Sequence, residues 1–126
     1  MFDKPFKQAL QSDEGYSKIK HNITFQLKKF CRVNGIETPK NEILEEIIQL
    51  IFVYNKGLSL YQFVHALELF SCQRFDTILN YELYYRKLDI GLVSKIIKAY
   101  TLSKNKDFTE SIFYQQNMIV VKNDKL

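Results

Sequence analysis

Residues 59–93 read SLYQFVHALELFSCQRFDTILNYELYYRKLDIGLV, and the fold turns on how this stretch divides. The spacing predicts a helix, a tight turn, a second and longer helix over 72–87, and then an extended strand. Gly57 marks the end of the helix before it, because glycine takes left-handed backbone at a helix C-terminus at little cost. Ser59 and Gln62 form a capping box: the hydroxyl accepts one orphan amide and the glutamine side chain reaches back to the cap. Leu60, Phe63, Val64 and Leu67 then share one face. Ser71 offers a second N-cap, after which Cys72, Phe75, Leu79 and Leu83 recur every three or four residues as an apolar stripe. Cys72 is accordingly expected in the core.

The other face of this second helix carries Gln73, Arg74, Thr77, Asn80, Tyr81 and Tyr84. A plain solvated helix is usually rich in Glu and Lys at such positions. Here the side chains match nucleic-acid chemistry: Arg pairs with guanine, Asn and Gln pair with adenine, and Thr and Tyr reach phosphate or a thymine methyl. The alternative is an ordinary polar face in water.

Working outward, residues 1–13 have no clear period and contain Pro5, which suggests a loose N-terminal arm with one short helical turn. A long helix is expected over 15–34, with Ile19, Ile23, Leu27 and Phe30 as its stripe and Asn34-Gly35 as its end. Phe25 and Val33 lie off that stripe. The extra apolar surface makes 15–34 a candidate dimerisation helix, or a helix packed only on its own domain. Thr38-Pro39 should open the next helix, with proline in the first turn where its missing amide costs nothing. Apolar residues from Ile43 to Tyr54 cover most of its circumference, so a central helix buried on several sides is expected. Beyond the recognition segment, Asp89-Ile90-Gly91 reads as a turn. Residues 92–100 (LVSKIIKAY) are rich in β-branched and aromatic residues and read as a strand. With 111–115 (SIFYQ) as the return strand, they would form a hairpin whose tip bears Lys104 and Lys106. Lys95, Lys98, Lys104 and Lys106 are then candidate phosphate contacts, unless the hairpin is an ordinary surface one. MIVV, 118–121, is a candidate further strand. The expected fold class is mainly α with a small β-hairpin, a winged helix-turn-helix in a single domain over 1–126 whose core spans 38–117.

Helix, helix, helix-turn-helix and hairpin in this order resemble winged-helix regulators of the MarR type, and most nearly the staphylococcal accessory regulator family. The resemblance rests on 42–95, with NKGLSLYQFVHAL (55–67) leading into the helix-turn-helix, KLDIGLVSK (87–95) as the end of the recognition helix, and SKNKDFTESIFYQ (103–115) as wing loop and return strand. It implies a homodimer on A·T-rich double-stranded DNA, with the recognition helix in the major groove and the wing on the flanking backbone. The chain departs from the family at Asp107-Phe108-Thr109, where an acidic–acidic–Arg triplet is usual. It also ends in MIVVKNDKL, where the family has a longer dimerisation helix.

Composition sets bounds on these readings. With 46% apolar and 14% aromatic residues, 126 residues can fill a core. The net charge of +4 is unevenly placed. Residues 1–70 hold nine basic and eight acidic side chains, residues 71–106 seven and three, and residues 107–126 two and three. The excess sits on the expected recognition helix and wing, as a polyanion-binding surface requires. No apolar run approaches a membrane span, and the N-terminus carries no signal-peptide stretch, so a cytoplasmic protein is expected. Cys31 and Cys72 fit no metal spacing. Cys31 lies beside Lys29 and Arg32, which could lower its pKa and make it a redox sensor. His21 and His65 stand in no catalytic motif, and His65 is expected to be partly exposed. The four glycines form no phosphate loop, and neither a cofactor nor enzymatic activity is expected. The leading expectation is a sequence-specific DNA-binding transcriptional regulator. The alternative is a protein-interaction adaptor, or a plasmid or phage accessory protein, on the same scaffold.

Overall fold

A computed structural model describes residues 2–75 and 87–103. Among these residues the chain forms helices α1 (Phe6–Ala9), α2 (Asp13–Asn34), α3 (Asn41–Tyr54), α4 (Leu60–Ser71) and α5 (Ile90–Ser103). The mainly helical class follows the sequence reading.

α2 starts where a cap exists. The Ser12 hydroxyl accepts from the Gly15 amide at 2.9 Å, and Asp13 and Glu14 set negative charge against the positive end of the helix dipole. It ends at Gly35, whose φ of 67° is left-handed, as Asn34-Gly35 predicted. Ile19, Ile23, Leu27 and Phe30 are buried as their spacing requires. Phe25 and Val33 are 52% and 63% exposed.

The N-terminal arm is not loose. Phe6 is fully buried and stacks edge-on against Phe52 at 5.3 Å. Its amide donates to the Leu58 carbonyl at 2.8 Å, that of Lys7 to the Lys56 carbonyl at 3.0 Å, and that of Tyr61 to the Phe2 carbonyl at 3.2 Å. Burying one phenylalanine contributes roughly 2–3 kcal/mol, enough to hold the arm on the α3–α4 connection.

α3 begins later than expected, at Asn41, with Lys40 at the cap position and no capping side chain. It is buried on one side only. Leu44, Ile47, Ile48, Ile51 and Phe52 face the core, while Ile43, Leu50, Val53 and Tyr54 are exposed. α2 and α5 pack on one side of it, and the other side lacks cover among the described residues. The central helix is α4. It packs against both α2 and α5 and buries Leu60, Phe63 to Leu67, Leu69 and Phe70. Its capping box forms as read: Ser59 Oγ accepts from the Gln62 amide at 3.2 Å, and Gln62 Oε1 accepts from the Ser59 amide at 2.9 Å. Gly57, by contrast, is not left-handed.

Two expectations fail after α4. Ser71 is the last residue of α4, not the cap of the next helix, and its hydroxyl donates to the Leu67 carbonyl at 2.9 Å. Residues 72–75 form a turn in which the amides of Gln73 and Arg74 reach back to Phe70 and Leu69, with Gln73 left-handed at φ 55°. Cys72 is therefore exposed rather than in the core, while Phe75 is fully buried. The remainder of the expected helix, 76–86, lies outside the described residues.

The expected strand 92–100 is helix α5. Leu92, Val93, Ile96, Ile97 and Tyr100 are buried at intervals of three to four residues, a helical period that outweighs the β propensity of the same side chains. Asp89 and Gly91 do not make a hairpin turn. Asp89 caps α5, its carboxylate accepting from the Leu92 amide at 2.8 Å. A parallel bridge from Lys87 to Glu37 guides the chain into α5. The first strand of the wing is thus absent. Its tip (Lys104, Lys106), the return strand 111–115 and MIVV, 118–121, lie outside the described residues. No helix among the described residues is long and apolar enough to cross a membrane.

Candidate functional site

Gln26, Lys29, Phe30 and Val33 recur along α2 at intervals of three or four residues and so share one face. That face meets Val64, Leu67 and Glu68 of α4 across a cleft of about 550 Å³. The turn after α4 closes one end with Cys72 and Arg74. There Asn34 Nδ2 donates to the Phe30 carbonyl and to Ser71 Oγ, both at 2.9 Å, which ties the C-terminal ends of α2 and α4 together. The Phe30 and Phe70 rings lie 5.6 Å apart at the same level. At the other end Gln26 is 7% exposed, and its side-chain amide makes no hydrogen bond among the described residues. Lys29 and Arg74 stand exposed on the rim, in no ion pair among the described residues.

His65 is fully buried rather than partly exposed, because α4 is enclosed by both α2 and α5. Its Nδ1 lies 3.4 Å from the Tyr100 hydroxyl, with the rings edge-on at 5.4 Å. Burial pushes the Tyr100 phenol up to about 12. Cys31 is buried, and burial pushes its thiol up, with a hydrogen bond from Thr38 opposing. The charges of Lys29 and Arg32 do not reverse this, so the redox-sensor reading is corrected: the thiol is held away from the reactive thiolate.

Of the residues singled out for DNA, Gln73 and Arg74 are exposed on the turn after α4. Lys95 and Lys98 are exposed on α5, a helix face instead of a hairpin. Thr77, Asn80, Tyr81, Tyr84, Lys104 and Lys106 lie outside the described residues. The cleft itself was missed. Its signal in the sequence was Gln26, a polar side chain at the edge of the Ile23–Leu27–Phe30 stripe. Among the described residues no three His, Cys, Asp or Glu side chains group as a metal site would require. No protein-family model, no curated protein and no solved structure matches the chain.

Proposed function

We propose that the protein is a non-catalytic, sequence-specific binder of double-stranded DNA that acts as a transcriptional regulator. The observation carrying this reading is the turn after α4. A capped helix ends there, left-handed Gln73 redirects the chain, buried Phe75 anchors it, and the exposed side chains of Gln73 and Arg74 head the segment 72–87. Such a short turn is how a helix-turn-helix passes from its first helix to its reading element. Lys95 and Lys98, three residues apart on the exposed face of α5, would hold phosphates from a helix in place of a wing.

The test uses the duplex that the full chain enriches from a random pool, compared with a scrambled duplex. Arg74→Ala should lose about 1–3 kcal/mol of the preference between them, the size of one bidentate base contact. Lys95→Ala with Lys98→Ala should weaken both duplexes alike and make the salt dependence shallower by about two phosphate contacts. If either variant binds as the parent does, the role assigned to those residues is wrong.

A second reading, a protein-interaction module, is favoured by the exposed apolar face of α3. Ile43, Leu50, Val53 and Tyr54 stand in water there, with Tyr54 77% exposed. Large exposed apolar residues on one helix face suit a partner protein or a second copy. A homodimer would then use α3 as well as Phe25 and Val33 on α2. Leu50→Glu should abolish self-association measured by light scattering, and an apolar contact of this kind should persist at about 0.5 M salt where phosphate contacts fail.

A further inference from the structure

We propose that the exposed apolar face of α3 is covered by a second copy of this chain, with the two α3 helices antiparallel across a twofold axis. The proposal rests on the protein-interaction reading above; it names the partner and fixes its direction. Ile43, Leu50 and Tyr54 follow one another at seven and four residues, and Val53 lies three residues from Leu50. At 1.5 Å per residue they make one stripe about 16 Å long, and all four side chains are exposed. The flank of α3 turned toward α2 is already engaged. There Glu45 pairs with Lys20, and the Gln49 side-chain amide donates to the Tyr16 hydroxyl at 2.6 Å. Ile43, Leu50 and Tyr54 lie on the other side of the helix. Apolar residues recurring at three, four and seven residues form the seam along which one helix receives another.

The charges at the two ends of the stripe select the partner and its direction. Glu42 and Glu46 are exposed at the N-terminal end, in no ion pair among the described residues. With Glu45 held by Lys20, these two carboxylates outweigh Lys40 at the cap position, so that end is negative. Lys56 is exposed just past the C-terminal end, with no ion pair among the described residues and no acidic neighbour from 50 to 60. The stripe is therefore negative at one end and positive at the other, which makes it complementary to itself turned around. An antiparallel copy sets Ile43 against the partner's Val53 and Tyr54, and Glu42 beside the partner's Lys56. The helix dipoles then oppose each other as well. A parallel copy would set Glu42 and Glu46 against the same two carboxylates, which is repulsive. The twofold makes every such contact twice and closes the assembly at two copies. One helix pair of 14 residues is at the small end of stable interfaces, so the dissociation constant falls in the micromolar range. None of these residues is among those assigned to DNA.

The test is sedimentation equilibrium of the full chain up to about 200 μM, with variants whose helical signal in circular dichroism matches the parent. The parent should dimerise, and Leu50→Glu should be monomeric. Glu42→Lys and Lys56→Glu should each weaken the dimer about fivefold, and the two changes together should restore it. Direction is read from disulfide formation in a Cys72→Ser background. Glu42→Cys mixed with Lys56→Cys should cross-link to each other, and neither should cross-link when alone. A dimer that Glu42→Lys tightens, or that cross-links through Glu42→Cys alone, would overturn the antiparallel copy while leaving α3 as the interaction face. A dimer that survives Leu50→Glu would overturn both this proposal and the reading it rests on. A chain that stays monomeric at about 200 μM would overturn the proposal alone. In that monomer a slowly labelled Leu50→Cys thiol would assign the face to residues of the chain itself, and a fast one to a different protein.

Discussion

Gly15 has no room for a side chain. A Cβ there would lie 2.1 Å from the Ala9 carbonyl oxygen and 2.9 Å from Ser12 Oγ, the atom that caps α2. The nearer obstacle is backbone and cannot rotate away, so the α1–α2 junction must open. Gly15→Ala is expected to destabilise the fold by about 2 kcal/mol or more, read from the midpoint of chemical denaturation. An unchanged midpoint would mean that α1 is not held there. The thiols give a second check at this scale. Cys72 is exposed and Cys31 is buried with its thiol pushed up, so a thiol-reactive dye should label one site fast and one slowly, and Cys72→Ser should remove the fast phase. Equal rates would contradict the burial of Cys31. Ser59–Gln62 and Gly35 were legible in the sequence because caps are made by residues adjacent along the chain. His65 and Cys72 were not, because their burial depends on where α4 stops and on which helices enclose it.

The informative failure among the elements is α5. Val93, Ile96, Ile97 and Tyr100 are strand-prone side chains, yet their spacing is helical, and the positions a strand would put on one face, 92, 94, 96 and 98, alternate between buried and exposed. Periodicity reports which side faces the core, whereas propensity is a preference of about 1 kcal/mol that packing overrides. Asp89 is the switch. As the cap of α5 its removal should matter: Asp89→Ala should cost about 1 kcal/mol and lower the helical signal in circular dichroism. A hairpin turn at that position would leave the helical signal unchanged. α3 misled for a different reason. Its apolar residues encircle it, but only the side facing α2 and α5 is covered, so the sequence showed how much apolar surface exists and not how much is buried.

At the scale of the whole molecule, α4 is the axis. It fills the space between α2 and α5, it forms one wall of the cleft, and its end sets the turn that presents Gln73 and Arg74. The sequence identified α4 and the residues after it as the part around which the chain is built. It could not place the cleft, because a cleft arises from two helices distant in sequence whose side chains fail to meet. The charge excess over residues 71–106 remains the property most directly tied to the proposed function. The measurement that tests it is a fluorescence-anisotropy titration of the full chain with an A·T-rich duplex of about two helical turns and a scrambled G·C-rich one, at about 50 and about 200 mM salt. The account predicts binding that weakens steeply with salt and prefers one duplex over the other. Absence of binding to either duplex at the lower salt would contradict it and leave the exposed face of α3 as the working surface.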